Sequence, residues 1–200
     1  MKKGFWSEQW YKYRRKKTVL GIVFDLMFTA LLVALIFPAS RKVVQSTVIR
    51  YSMFQPRLAK EVTYLSSNDF DWRVEDMNGN IVELSNFKGQ AIFLNFWATW
   101  CPPCIAEMPS IQRLYNDYES KMAFILVSQE SQSTLKAFMH EKGYTFPIYI
   151  LRGGKPEIFS SRSIPASFLI SPEGKVLMKK QGAARWDGSK VKALIDKMQL

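Results

Sequence analysis

The hydrophobic pattern begins with one unbroken run. Thr18 to Phe37 reads TVLGIVFDLMFTALLVALIF, with Asp25 as its single charge. It is apolar all round, unlike an amphipathic globular helix. Twenty residues at 1.5 Å each reach about 30 Å, the hydrocarbon thickness of a bilayer. The pattern therefore predicts a transmembrane helix over residues 18–37. Past it, Val44, Val48 and Tyr51 recur at helical spacing, so helix is expected to continue toward Pro56. Residues 38–68 mix bases with scattered apolar residues and end in Ser66-Ser67-Asn68, which reads as a juxtamembrane connector, lipid-facing or a linker.

From Asp69 the periodicity changes. Phe70 to Val74 alternates with period two, and Asn78-Gly79 marks a hairpin turn before Ile81 to Leu84. Ala91 to Trp97 is a continuous run of strand length, as expected for a strand covered on both faces. A helix should begin at the cysteines and run to about Ser120, kinked at Pro109. Met122–Ser128 reads as a second buried strand, and Ser131–Glu141 as a helix ended by Gly143. Tyr149 marks a short strand or turn. Ala166–Ser171 and Lys175–Gln181 flank the turn Pro172-Glu173-Gly174, and a last helix capped by Asp187 or Ser189 runs through Met198. This order predicts an α/β domain over residues 69–200, with a mixed sheet flanked by helices.

Composition changes the picture in two ways. The net charge of +11 in 200 residues first suggests a nucleic-acid or membrane-surface partner. By segment, residues 1–17 carry +6, 18–37 carry −1, 38–60 carry +5 and 61–200 only +1. The excess brackets the apolar run, so no nucleic-acid partner is expected. Seven bases precede the run and two (Arg41, Lys42) closely follow it, which predicts a cytoplasmic tail over residues 1–17 and an extracytoplasmic C-terminal domain. Phe37-Pro38-Ala39-Ser40 lacks a small-x-small cleavage site, so the run reads as a retained anchor. Two cysteines and one histidine, His140, exclude a disulfide-rich scaffold and a four-cysteine zinc site. No metal and no cofactor is expected.

Those two cysteines stand as Trp100-Cys101-Pro102-Pro103-Cys104 at the predicted strand-to-helix junction. The spacing puts both sulfurs on one helical turn, close enough to bridge. The helix N-terminus favours a thiolate on the first, and the second lies one turn deeper. A structural disulfide closing so short a loop would add little stability. The arrangement points to redox chemistry. Pro102 and Pro103 lack N–H groups, so few donors face the Cys101 thiolate. That argues against a strong oxidant and for a reductant.

Asn95-Phe96-Trp97-Ala98-Thr99-Trp100-Cys101-Pro102-Pro103-Cys104 resembles the thioredoxin superfamily, and within it the membrane-anchored thiol–disulfide oxidoreductases of the TlpA/ResA/DsbE type. The likeness covers about residues 69–200. Leu84 to Gly89, Glu107 and Ser163 to Ile170 add to it. It implies a thioredoxin-like fold in which Cys101 attacks, Cys104 resolves and Glu107 moves protons. It also implies that Pro165 is cis and that Trp100, Pro102, Pro103, Ile164 and Pro165 form the substrate-binding rim. Ala166 departs from the threonine frequent after that proline, and Asn95 falls where cytosolic thioredoxins carry a buried aspartate.

The resemblance also implies protein disulfide substrates, reduced or, where wrongly paired, isomerised. Typical ones are the haem-attachment cysteines of apocytochromes c or copper-site cysteines of oxidase subunits. A reductant outside the cytoplasm needs a membrane thiol donor as a further partner. Three alternatives remain: a dithiol oxidase, a non-catalytic or copper-carrying module on the same fold, and a thiol peroxidase. The carrier reading is weakened by CxxC spacing and a lone His140. The peroxidase reading is weakened because Thr99 lies two residues, not three, before Cys101.

Overall fold

The computed structural model describes residues 18–36, 38–59 and 61–198. The expected cytoplasmic tail, residues 1–17, and Phe37 lie outside them. By their contacts the residues divide into two units, 1–44 and 45–200. In the first, the apolar run is helical over Val19–Ile36 (α1). Among the described residues no helix is long and apolar enough to cross a membrane. A second helix, Pro38–Ser52 (α2), ends four residues short of Pro56.

The rest is one seven-stranded sheet with helices. Its elements are the one-turn helix Ser67–Phe70 (α3), Arg73–Glu75 (β1), Ile81–Glu83 (β2), Ala91–Phe96 (β3), Pro102–Tyr118 (α4) and Met122–Ser128 (β4). Gln132–Lys142 (α5), Ile148–Ile150 (β5), Ala166–Ile170 (β6), Val176–Gln181 (β7) and Ser189–Met198 (α6) complete it. The strand order is β2-β1-β5-β4-β3-β6-β7. β3 pairs parallel with β4, and β4 with β5. β6 is antiparallel to both β3 and β7, and β1 to both β2 and β5. The predicted α/β class with a mixed sheet is what the chain adopts.

The centre of the sheet explains the unbroken apolar run. Every residue of β3 is buried. Ala91 and Phe93 pack into one cluster with Met108, Ile111 and Leu114 of α4. Ile92, Leu94 and Phe96 pack into the other with Trp72, Phe159 and Phe168. Neighbouring side chains of a strand point to opposite faces, so a central strand covered on both sides has only Asn95 as a polar member. β3–α4–β4 is then a parallel crossover, and the cysteines sit at the carboxyl end of β3, where the chain turns into the helix.

Local chemistry sets the ends. Gly79 adopts φ +88° in the turn between β1 and β2, and Asp76 Oδ1 accepts from the Asn78 and Asn80 N–H groups. Ser131 caps α5 by accepting from Thr134 N, and Gly143 ends it at φ +67°. Two expectations need correction. Phe70 closes α3 rather than starting a strand, because Ser66 and Asp69 form a reciprocal capping box. α4, by contrast, starts at the cysteines and runs past Pro109 to Tyr118, with Glu119 still helical as its C-cap, as expected. Neither Asp187 nor Ser189 caps α6. Asp187 binds Arg113 and Arg185, and Gln55 Oε1 meets the Lys190 N–H at 3.0 Å instead.

That last contact belongs to a larger departure. The connector is bound along β7. Ala59 N donates to Leu177 O at 2.8 Å, Val176 N to Thr63 O and Leu65 N to Gly174 O, both at 2.9 Å. Arg185 N donates to Phe54 O at 3.0 Å. Residues 54–59 and 61–65 thus shield an otherwise bare sheet edge. The sequence of the connector reads as unattached because its backbone, rather than a periodic apolar face, makes these contacts.

Candidate active site

Cys101 is the N-cap of α4, with extended backbone (φ −93°, ψ 102°). Pro102 and Pro103 occupy the first two helical positions, where a missing N–H costs least. The first helical N–H that reaches Cys101 is therefore that of Cys104, 3.3 Å from Sγ. Cys101 and Cys104 form a disulfide with their Cα atoms 5.3 Å apart, inside the range such bridges need. Both residues are buried in this state.

The loop before β6 meets the pair from the other side. Ile164–Pro165 is a cis peptide, and the Ile164 carbonyl oxygen lies 3.8 Å from Cys101 Sγ. Pro165 is buried, Ile164, Pro102 and Pro103 are half-buried, and Trp100 is 59% exposed. Trp97 is buried in the core. A cavity of about 270 Å³ beside this rim is lined by Trp100, Leu151, Lys155 and Ile164, among others. The Lys155 ammonium sits 4.6 Å over the Phe96 ring, and burial lowers its pKa.

Behind the cysteines, Glu107 is completely buried. Spaced three residues from Cys104, it lies on the same face of the helix. Its carboxylate accepts from Asn95 Nδ2 at 2.8 Å, Ala184 N at 3.2 Å and Trp186 Nε1 at 3.2 Å. Burial pushes its pKa up to about 7; hydrogen bonds from Trp186, Asn95 and Ala184 and the charge of Lys180 pull against that rise. A carboxyl so placed can hold or release a proton near neutrality. His140 lies exposed in the last turn of α5. Among the described residues no three His, Cys, Asp or Glu side chains gather as a metal site.

Four further residues escape a reading of the sequence. Ala184, Trp186 and Ser167 surround Glu107 or Asn95. Glu130, after β4, accepts from Thr99 N at 2.7 Å and Thr99 Oγ1 at 2.6 Å, holding the turn that leads to Cys101. Thr99 therefore spends its hydroxyl on Glu130. Ser167 stands in a conspicuous segment. The others carry no local signal, because the chain brings them in from 31 to 79 residues away.

A parallel β–α–β unit with CxxC at the helix start and a cis-proline loop opposite defines a thioredoxin-fold thiol–disulfide oxidoreductase. Residues 68–179 match the AhpC/TSA family, and the chain belongs to it. It is 32% identical over 152 residues to the thiol-disulfide oxidoreductase ResA of Bacillus cereus, covering 74% of this chain and 88% of that protein. It is 37% identical over 107 residues to ResA of Bacillus subtilis, covering 52% and 60%. The thioredoxin domain of a thiol-disulfide oxidoreductase from Bacteroides vulgatus superposes with a TM-score of 0.52 at 23% identity, covering 64% and 93%, a likeness of fold.

Proposed function

We propose that the protein is a membrane-anchored reductant of disulfides in extracytoplasmic proteins. The observation that carries the direction of electron flow is the poverty of donors at Cys101. Two of the first three helical positions are prolines, and the helical N–H that reaches its sulfur is that of Cys104, at 3.3 Å. A poorly stabilised thiolate is a better nucleophile and leaves less readily, which favours giving electrons over taking them.

The steps follow. In the reduced protein the Cys101 thiolate attacks one sulfur of a client disulfide, forming a mixed disulfide and expelling the client's other sulfur as a thiolate. The Cys104 thiol then loses its proton to the Glu107 carboxylate and attacks Cys101 Sγ. That closes the bridge described above and expels the client's second sulfur. Two electrons pass to the client, whose two thiolates take up two protons. Ile164 and Pro165 present backbone to an extended client strand beside Cys101, and Trp100 covers its flank.

Anchoring rests on the apolar run of residues 18–37 and the basic excess on its N-terminal side. It places the tail in the cytoplasm and the domain outside, in the periplasm or its equivalent. Clients of this kind include the haem-attachment cysteines of apocytochromes c and copper-site cysteines, and a membrane thiol donor returns the protein to its reduced form. Trapping cellular thiols with a mass-shifting alkylator tests the direction. Reduced Cys101 and Cys104 support the reductant; a fully oxidised pair makes the protein an oxidase. A Cys104→Ala variant should accumulate mixed disulfides through Cys101, which identifies the client.

A further inference from the structure

Asn95 is a buried amide with two unequal sides. Its Nδ2 donates to Glu107 Oε1 and to Ser167 Oγ, both at 2.8 Å. Its Oδ1 is equally buried and has no hydrogen-bond partner among the described residues. An orphaned acceptor in the middle of a sheet is costly. Both hydrogen-bond partners of the side chain lie at one end of the amide, so the end that faces them is satisfied and the other is not.

The two oxygens of Glu107 are also unequal. Oε2 accepts both the Ala184 N–H and the Trp186 indole N–H, while Oε1 accepts from Asn95 alone. A proton arriving at the carboxylate therefore goes to Oε1, since Oε2 already faces two donors. The resulting O–H would then point at the Asn95 NH₂, donor against donor. Turning the amide by half a revolution removes the conflict. Oδ1 then accepts from Glu107 Oε1–H and from the Ser167 hydroxyl, which rotates from acceptor to donor as a hydroxyl can. Nδ2 moves into the apolar side. The number of satisfied contacts is the same in both arrangements.

We infer that Asn95 and Ser167 are positioning residues that follow the proton on Glu107: the amide presents Nδ2 when Glu107 is ionised and Oδ1 when it is protonated, with Ser167 reversing its hydrogen bond in step. One proton is added to Oε1, and no covalent bond changes elsewhere. The pair makes both charge states of a buried acid tolerable, which a proton carrier needs. This rests on the reading of Glu107 as that carrier. The surroundings suit it. β3 and β6 contribute the neutral Asn95 and Ser167, the loop before α6 the neutral Ala184 and Trp186, and β7 the charge of Lys180. The cysteine pair shares the helix of Glu107. Burial that lifts Glu107 to about 7 brings both states within reach near neutral pH.

The test is NMR of the full, oxidised chain, with side-chain-labelled Asn and Glu, between pH 5 and pH 9. The expected result is that the Asn95 NH₂ signals and the Glu107 carboxyl carbon titrate with one midpoint. Both amide protons should be hydrogen-bonded above it and neither below it. In Glu107→Gln, the Ala184 and Trp186 N–H donors hold the new amide's oxygen at the Oε2 position and leave its NH₂ facing Asn95. Asn95 should then show the low-pH pattern at every pH. Glu107 titrating while Asn95 keeps both protons bonded would overturn the inference, as would the high-pH pattern in Glu107→Gln. If wild-type Glu107 does not titrate but Glu107→Gln shows the turned amide, the carrier reading fails and the geometric pairing stands. Asn95→Leu supplies a further readout: because the turning amide partners both charge states, removing it should move the Glu107 midpoint little, whereas a rise of about one unit would mark a fixed donor that serves only the carboxylate and would overturn the inference.

Discussion

Trp186 Nε1 donates to Glu107 Oε2 at 3.2 Å although 79 residues separate them in the chain. The same indole stands edge-on against Phe93 of β3, ring centroids 4.8 Å apart. One side chain thus packs the core and supports a buried charge. Trp186→Phe keeps most of the packing and removes the donor. We expect the Glu107 midpoint to rise, and stability at pH 8 to fall by about 1–3 kcal/mol, because a charged acceptor loses a partner. Carboxyl titration and urea unfolding at pH 8 check both; an unchanged midpoint contradicts the assignment.

Glu107 should tie stability to pH. Its carboxyl titrates near 7 in the fold against 4.5 when unperturbed, so folding favours the protonated form. That contribution is complete below pH 4.5 and disappears as pH rises through 7, a loss of about 3 kcal/mol at 1.36 kcal/mol per unit. Glu107→Gln removes the dependence. Relative to the parent, the variant should be stabilised more at pH 8 than at pH 5, as measured by paired denaturant titrations. Comparing the two proteins at each pH cancels the acids held low by partners, such as Asp187 beside Arg113 and Arg185.

The donor count at Cys101 can be altered directly. Pro103→Ala restores an N–H at the second helical position without disturbing the cap. The Cys101 pKa should fall by roughly half a unit to one unit, and the reduction potential should become more oxidising. The parent should lie nearer the about −270 mV of a reducing thioredoxin than the about −120 mV of a strong oxidant. Thiolate absorbance and equilibration with glutathione measure the two quantities. A parent potential at the oxidising end contradicts the proposed direction.

Residues 54–59 and 61–65 are structural. A chain beginning at Ser66 loses the backbone contacts to Leu177, Val176, Gly174 and Arg185 and bares the edge of β7. We expect lower stability and concentration-dependent self-association, seen by unfolding and light scattering. A truncated protein as stable and monodisperse as its parent would show the strap to be dispensable.

The legible parts of the molecule are those written locally. The run from Ala91 to Phe96, the Ser131 and Gly143 signals around α5 and the turn at Gly79 each carry their instructions within a few residues. CxxC is legible for the same reason: its partner lies one turn away. The environment of Glu107 is not. Its helix position can be read, but its burial depends on Trp186 and Ala184 arriving from the far end of the domain. Asp187 misleads because its position before α6 suits a cap, while Arg113 from α4 claims the carboxylate. The strap offers no periodicity, since it binds mainly through main-chain groups that every residue possesses, joined only by single side chains such as Gln55 and Leu65.

That strap also sets an order of completion on the growing chain. Synthesis runs from the N-terminus, so Ala59, Thr63 and Leu65 leave the ribosome long before their partners Leu177, Val176 and Gly174. The parallel unit β3–α4–β4, which carries both cysteines, is made in the interval. The strap stays unpaired through all of it, and the hairpin of β6 and β7 is the piece that finally gives it a seat. A chain stalled before Pro172 would already own its redox pair, yet would still display one open strand edge and one stretch of backbone with nothing to bind.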